Sequence, residues 1–347
     1  MEKSGRIEYL DLAKGFCIIL VVFYHILSFY GESVLVNYYC KLFRMPLYFF
    51  LSGIFFKTYD GFMGFLKRKI NKLLVPFLFW YLLSAVLLPI VFFRVFNITL
   101  NQVKTTNFGD LLCNVFFVED FPNSAIWFLL CLFEVNILFY FIQFIAHRFQ
   151  SKETIIVIVC SMVLGICGLV MGCLHFNLPC YIDSSFSALP FFCFGYLANN
   201  RYNVLKLNIT KTKLVIIALS FFVIVGVCCA LGGELHYSLK YNKFSILAAL
   251  FVYPCGLLGT LAVIMISKVF NHIPVISYWG RFSIIILVTH KLIMQIWKPV
   301  IALLPISNKS AAFVNVLLTL LLYLLLIPLL KKIMPHVLAQ KDVIPVK

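Results

Sequence analysis

Two residues with chemically useful side chains lie in the first apolar segment, DLAKGFCIILVVFYHILSFY. Lys14 and His25 are eleven positions apart. On a helix this is about 1100° of rotation, so the side chains share one face, roughly 16 Å apart along the axis. A cation and an imidazole are costly inside a lipid-spanning helix, which makes both functional candidates. The stripe predicts a reaction path that runs along this helix.

The other polar residues inside apolar segments extend this path. They are Asp11, Arg44, Ser52, Glu134, Arg281, His290 and Lys291. Asp11 stands three residues before Lys14, so the two form either a structural ion pair or part of a ligand site. Arg281 and His290 repeat the order of a cation followed by an imidazole, so we expect the first and ninth spans to face a common cavity. Alternatively, Arg281 is a structural partner of Glu134 and His290 a packing residue.

Direct transfer of an acyl group is the chemistry that these residues serve best. The chain has no GxSxG nucleophile elbow, no cysteine nucleophile pattern and no HExxH metal pair. A neutral imidazole suits proton abstraction near pH 7, so we expect His25 to act as a general base, without a metal, on an acceptor hydroxyl. Arg44 would stabilise the developing oxyanion. Glu32, seven residues after His25, either continues the stripe as a catalytic residue or is an ordinary loop carboxylate.

Composition places these residues in a polytopic integral membrane protein. Of the 347 residues, 63% are hydrophobic and 12% are charged, which is about half the charged share of a soluble domain. The apolar runs predict about ten transmembrane helices in a single all-α domain over residues 1–347, with no separate soluble domain. The expected spans lie near 11–30, 43–57, 73–93, 125–146, 154–174, 184–198, 213–232, 244–267, 274–296 and 312–330.

The basic residues predict the orientation of these spans. With the N-terminus in the cytoplasm, most of the 29 Lys and Arg residues fall in inner segments, which indicates that both termini are cytoplasmic. The net charge of +16 is therefore mainly a topology signal, and no nucleic-acid partner is expected. The basic amphipathic segment near 58–72 is either a lipid anchor or the cationic rim of a site for an anionic cytoplasmic ligand.

Several segments resemble the membrane acyltransferase-3 family. RIEYLDLAKGFCIILVVFYH resembles the first helix of the family, which carries a basic residue, ten intervening residues and a histidine, here Lys14 and His25. Its later motifs resemble FRMPLYFFLSGIFF, KRKINKLLVPFLFW, NSAIWFLLCLF and WGRFSIIILVTHKLI. The sequence departs from the family at Leu287, where many members have a tyrosine. The late segment is most similar to the sugar O-acetylase branch and to membrane proteins of exopolysaccharide operons.

This resemblance implies an O-acyltransferase of the bacterial inner membrane, embedded in the lipid bilayer. It would move an acetyl or other short acyl group from acyl-CoA, with acetyl-CoA as the expected donor, to a carbohydrate hydroxyl on a surface polysaccharide or lipid-linked glycan. His25 matches the catalytic histidine of the family. The residues expected to bind the donor, whose phosphates suit cationic partners, are Lys14, Asp11, Arg68, Lys69 and Arg281. The residues expected at the acceptor are Ser52, Trp127, Glu134 and His290.

Two other classes of protein remain open. A glycan exporter or flippase would use the same polar path to pass a sugar and would have no reason to bind acetyl-CoA. A structural or regulatory membrane subunit would use its buried polar residues only to fix helix packing. No internal repeat is evident, which weakens a transporter built from inverted halves.

Overall fold

A computed structural model describes residues 7–59, 61–87, 123–202, 209–231 and 237–345, together with residues 109, 113 and 115–117. These residues are predominantly helical and surround one continuous apolar core. The helices are α1 Glu8–Phe29, α2 Leu35–Ile54, α3 Gly61–Lys69, α4 Val75–Leu82, α5 Trp127–His147, α6 Glu153–Cys173, α7 Ile182–Asn200, α8 Lys211–Leu231, α9 Ile246–Phe270, α10 Pro274–Arg281, α11 Ser283–Ile301 and α12 Asn308–Ile333. An antiparallel hairpin of β1 Tyr237–Ser238 and β2 Lys243–Phe244 lies between α8 and α9.

Seven described helical segments are long and apolar enough to cross a membrane, and they contain α1, α5, α6, α8, α9, α11 and α12. Predicted spans two and six correspond to the helices α2 and α7, which carry more polar residues. The predicted span 73–93 lies partly outside the described residues. The multi-pass, helical character of the protein agrees with the sequence analysis, while the count of ten spans and the side of the termini stay predictions.

Close backbone approach holds the helices that carry the polar residues. A Cβ at Gly53 of α2 would overlap the carbonyl oxygen of Phe192 on α7. Likewise, a Cβ at Gly280 of α10 would overlap the carbonyl oxygen of Asp11 on α1. Small residues allow helix backbones to pack closely where the hydrophobic effect between helices is weak. These contacts therefore fix α1 against α10 and α2 against α7.

The predicted ninth span, 274–296, is two helices rather than one. Phe282 is non-helical, with φ −111° and ψ 26°, and it separates α10 from α11. The short α10 is amphipathic and packs against α1, whereas α11 enters the core, where Ile285 and Ile286 are fully buried. The expectation of one continuous helix is wrong because the segment consists of a short amphipathic helix and a separate apolar helix that meet at Phe282.

The helix that begins at Gly61 is braced by a segment from the end of the described chain. α3 and α4 are joined by a π-helical turn, Ile70–Leu74, just before Pro76. The fully buried Asn71 donates through Nδ2 to the Ile344 carbonyl oxygen at 2.8 Å. Its Oδ1 accepts from the backbone N–H groups of Val343 and Ile344. The C-terminal segment, 334–345, therefore docks on the π-helical turn that follows α3. The Asn71 side chain both donates to and accepts from the backbone of this segment.

Candidate active site

A cavity of about 310 Å³, here called the Lys14 cavity, opens between α1, α2, α3, α5, α10 and α11. Five cationic side chains line it, from Lys14, Arg68, Lys69, Lys72 and Arg281, and no carboxylate does among the described residues. The structure therefore brings together four of the residues predicted at the donor site. Asp11, the remaining one, is not among the lining residues. A cation-lined cavity with no acidic residue in its lining favours an anionic ligand.

Aromatic rings support three of these cations. The Lys14 ammonium lies 4.5 Å from the centre of the Phe55 ring, and the Arg68 guanidinium lies 4.5 Å from that of Tyr59. The Lys69 ammonium lies 5.3 Å from the Phe65 ring. Ring faces attract cations without neutralising their charge. Burial lowers the pKa of Lys69 to about 8, so this side chain gains from an anion that restores its charged form.

Lys72 is a cavity residue that the sequence reasoning did not assign to the donor site. It follows Arg68 by four positions and Lys69 by three, so it shares their helical face. Helical spacing within the basic segment was therefore the signal that could have found it. Its ammonium forms a salt bridge with Asp342 at 3.0 Å and donates to the Ala339 carbonyl oxygen at 2.9 Å. Lys72 therefore lines the Lys14 cavity and also binds the C-terminal segment.

The two imidazoles from the first and ninth predicted spans are neighbours. The ring centres of His25 and His290 are 5.2 Å apart. The expectation is that the first and ninth spans face a common cavity, and residues of both, Lys14 and Leu287 among them, line the Lys14 cavity. On α11 the cavity is lined by Ser283, Ile284 and Leu287, and Leu287 lies about one helical turn before His290. Neither imidazole is among the residues that line the Lys14 cavity.

His290 has a defined tautomer in this arrangement. It is fully buried, and its Nδ1 lies 2.9 Å from the carbonyl oxygen of Ile286. Because a carbonyl oxygen only accepts, Nδ1 carries a proton, and in the neutral imidazole the lone pair is then on Nε2. That Nε2 has no hydrogen-bond partner among the described residues. His290 Nε2 is therefore a hydrogen-bond acceptor on the ring that neighbours His25.

Arg44 joins this cluster from α2. Its guanidinium lies 4.1 Å from the ring centre of Tyr24, which precedes His25 on α1. The side chain is only 7% exposed, and its Nη1 has no hydrogen-bond partner among the described residues. Arg44 also lies within electrostatic range of His25, as do Lys291 and Lys240. The surroundings of the imidazole pair are cationic.

A second polar stripe connects the two clusters. Lys41, Arg44, Tyr48 and Ser52 occur at helical spacing on α2 and lie on one face. Tyr48 and Ser52 line the Lys14 cavity, and the Ser52 hydroxyl donates to the Tyr48 carbonyl oxygen at 2.8 Å. Ser52, predicted at the acceptor, therefore lies with the residues predicted at the donor.

Glu134 and Trp127 are not among the residues that line the Lys14 cavity, and Arg281, which does line it, does not pair with Glu134. Glu134 accepts a hydrogen bond from the Ser185 hydroxyl at 2.7 Å. The guanidinium of Arg281 lies 5.3 Å from the Phe282 ring, and no described salt bridge joins it to Glu134. The alternative of an Arg281–Glu134 pair is therefore wrong. Trp127 is buried with its ring centre 5.8 Å from that of Tyr181.

Glu32 does not continue the helical stripe of His25. α1 ends at Phe29, and Gly31 adopts a φ of +72°, in the left-handed region that glycine tolerates. The Glu32 amide donates to the Leu27 carbonyl oxygen at 2.9 Å as the chain turns. Extrapolating a helical period to Glu32 is wrong because the helix stops three residues earlier.

These features define a multi-pass membrane protein with a cavity lined by cations and, on α1 and α11, a pair of neighbouring imidazoles. A family model described as an acyltransferase domain, that of the acyltransferase-3 family, matches residues 7–330. The chain belongs to this family and is an acyltransferase. No curated protein and no solved structure matches the chain. The family resemblance is confirmed, while the sugar O-acetylase branch stays a prediction.

Proposed function

We propose that this enzyme transfers an acetyl or other short acyl group from acyl-CoA to a carbohydrate hydroxyl on a surface polysaccharide or lipid-linked glycan at the bacterial inner membrane. The observation that carries the proposal is the Lys14 cavity, where five cations converge and no described lining residue is acidic. Phosphate oxygens form strong charge-assisted hydrogen bonds with Lys and Arg. The phosphates of coenzyme A suit this lining.

A second cavity provides room for the rest of the donor. It has a volume of about 520 Å³ and shares Tyr59 with the Lys14 cavity. Lys57 and His147 also line it. The stacked pair of Arg68 and Tyr59 lies at the boundary of the two cavities. In the proposed arrangement the nucleotide occupies the second cavity and the acyl thioester extends through the Lys14 cavity towards Leu287.

The transfer itself needs one base and one oxyanion partner. His25 takes the proton from the acceptor hydroxyl as its oxygen bonds to the acyl carbon. Arg44 stabilises the negative charge that develops on the carbonyl oxygen. The carbon–sulfur bond then breaks, and the departing thiolate receives the proton from His25. His290 offers its Nε2 lone pair beside His25 and thereby favours one orientation of that ring.

Acetyl-CoA binding and turnover by the purified full chain test this proposal. We expect measurable binding by calorimetry and release of coenzyme A from acetyl-CoA, in an acceptor-dependent or hydrolytic reaction. His25→Ala should abolish turnover and retain donor binding, because His25 is not among the residues that line the Lys14 cavity. The exposed His175 offers a matched control, and His175→Ala should leave both quantities unchanged.

Two results would refute the proposal. Wild-type turnover in His25→Ala would remove the histidine from the mechanism. Failure of the wild-type protein to bind acetyl-CoA would favour a glycan exporter, since an exporter needs no acyl donor.

A further inference from the structure

The residues beyond the imidazole pair carry positive charge that the transfer reaction does not explain. Arg44 is buried and cationic, and it lacks a described salt bridge. Burying an uncompensated charge is costly. The oxyanion of acyl transfer exists only transiently, so it does not offset this cost in the resting complex. A standing anion near Arg44 would do so.

Lys41 lies one turn before Arg44 on the same face of α2. Its ammonium lies 5.8 Å from the ring centre of Tyr237, and no described carboxylate forms a salt bridge with it. The Tyr237 ring is buried, and its hydroxyl has no hydrogen-bond partner among the described residues. An ammonium and an unpartnered phenol are both donors that suit an anionic oxygen.

The β1–β2 hairpin holds Tyr237 in place independently of this cluster. The fully buried Asn242 donates through Nδ2 to the Gly168 carbonyl oxygen of α6 at 2.9 Å. The Ser187 hydroxyl of α7 donates to Asn242 Oδ1 at 2.7 Å, and Ser184 donates to the Lys240 carbonyl oxygen at 3.1 Å. Because α6 and α7 anchor the hairpin, Tyr237 is positioned before any ligand arrives, which lowers the ordering cost of binding.

The titratable side chains that surround this cluster come from four elements. They include His25 on α1, Lys41 and Arg44 on α2, Lys240 on the hairpin, and His290 and Lys291 on α11, together with Tyr24, Cys17, Cys40 and Tyr237 near Arg44. Lys291 donates to the Ser124 hydroxyl at 2.7 Å and Lys240 to the Tyr241 hydroxyl at 2.7 Å.

We propose that the acyl acceptor is an anionic glycan, in which a carboxylate or phosphate group binds Lys41 and Tyr237 while a nearby sugar hydroxyl reaches His25. This deepens the proposed function and rests on it. Arg44 lies one turn from Lys41 on the same helix, so its charge attracts both the acceptor anion and the negative charge that develops on the acyl carbonyl oxygen. Lys41 and Tyr237 are specificity-determining residues, and they take no part in proton transfer.

Binding of matched saccharides to the purified full chain tests this assignment. Trigalacturonate, maltotriose and glucose 1-phosphate are titrated by calorimetry, each with a saturating S-ethyl coenzyme A thioether that fills the donor cavity. We expect trigalacturonate to bind at least tenfold more tightly than the neutral maltotriose, because it adds charge-assisted hydrogen bonds. Tighter binding of glucose 1-phosphate than of maltotriose would identify phosphate as an alternative anion.

Variants separate this site from general charge attraction. Lys41→Met should weaken trigalacturonate binding about tenfold or more and leave maltotriose binding unchanged. Tyr237→Phe should weaken it less, because one neutral donor is lost. Lys41→Arg should keep most of the affinity, which guards against a folding defect in Lys41→Met. Lys298→Met alters an exposed lysine on α11 and should have no effect.

Three outcomes would overturn the inference: equal affinity for trigalacturonate and maltotriose, no effect of Lys41→Met, or no binding of any anion while the donor analogue binds. Failure of the donor analogue to bind would count against the proposed function instead. In that case the saccharide titrations are repeated without the analogue, in the Lys69→Met variant. The change weakens anion binding in the Lys14 cavity, so binding there can be distinguished from binding at Lys41.

Discussion

Lys69 offers a direct test of whether the Lys14 cavity binds an anionic donor. Burial lowers the pKa of Lys69 to about 8 in the free protein. A bound phosphate stabilises the charged ammonium, so binding couples to protonation of this residue. The affinity for the donor should therefore be highest below pH 7 and should fall as the pH rises through 8. The free energy of unfolding of the free protein should instead rise as the pH rises through 8. The reason is that the unfolded chain keeps the Lys69 proton to a higher pH than the folded chain does.

The size of this effect follows from the fraction of Lys69 that is charged. With a pKa of about 8, about nine-tenths is charged at pH 7 and about 3% at pH 9.5. If only the charged form binds, the apparent Kd rises about 30-fold over this interval, or about 2 kcal/mol. That value falls within the range expected for one hydrogen bond to a charged group, about 1.5–3 kcal/mol.

Calorimetry with the S-ethyl coenzyme A thioether measures this dependence, because the analogue has neither a hydrolysable thioester nor a free thiol. Lys69→Arg keeps its charge over the whole range and should bind with little pH dependence. Lys69→Met should bind weakly at every pH. Lys67→Met, which alters an exposed lysine of the same helix, should resemble the wild type. A wild-type affinity that is constant from pH 7 to 9.5 would refute the reasoning.

Two further predictions concern the supports of the site. Gly280→Ala should destabilise the protein by about 1–3 kcal/mol, because the new methyl group overlaps the Asp11 carbonyl oxygen. A lower Tm in detergent would show this. An unchanged Tm would contradict the close approach of α10 to α1. Asn71→Ala removes three hydrogen bonds to the C-terminal segment, worth about 1 kcal/mol each. Trypsin should then cleave after Lys341 faster than in the wild type, and equal rates would argue against docking.

Much of the site could be predicted from local spacing and charge. Lys14 and His25 share a face because one uninterrupted helix contains both, so a period of 3.6 residues was sufficient. The cations near Lys69 are adjacent in sequence, and a basic amphipathic segment indicates its own polar face. The approach of α1 to α11 was predicted from the parallel order of cation and imidazole in two segments. That inference depended only on the predicted direction in which each of the two segments crosses the membrane.

The remainder depends on where helices end and on contacts between distant residues. Periodicity does not show that α1 stops before Glu32, since the turn at Gly31 follows a run that is still apolar. Phe282 ends the amphipathic helix α10 within a segment that was predicted to be one span. Ser52 shares a face with Arg44 but lies two turns away, in the other cluster. The hairpin with Tyr237 is held by Asn242 through partners more than 50 positions away, which no local pattern records.

The docking of the C-terminal segment has a consequence for the order in which the protein acquires its structure. Asn71 and Ile344 are 273 positions apart. At roughly 5–20 residues per second, about 14–55 s of synthesis separate Asn71 from the segment that binds it. During that interval Asn71 must remain without its final partners while the intervening helices insert. The cationic wall of the Lys14 cavity therefore acquires its final contacts only after Ile344 has been made, although its residues are made much earlier.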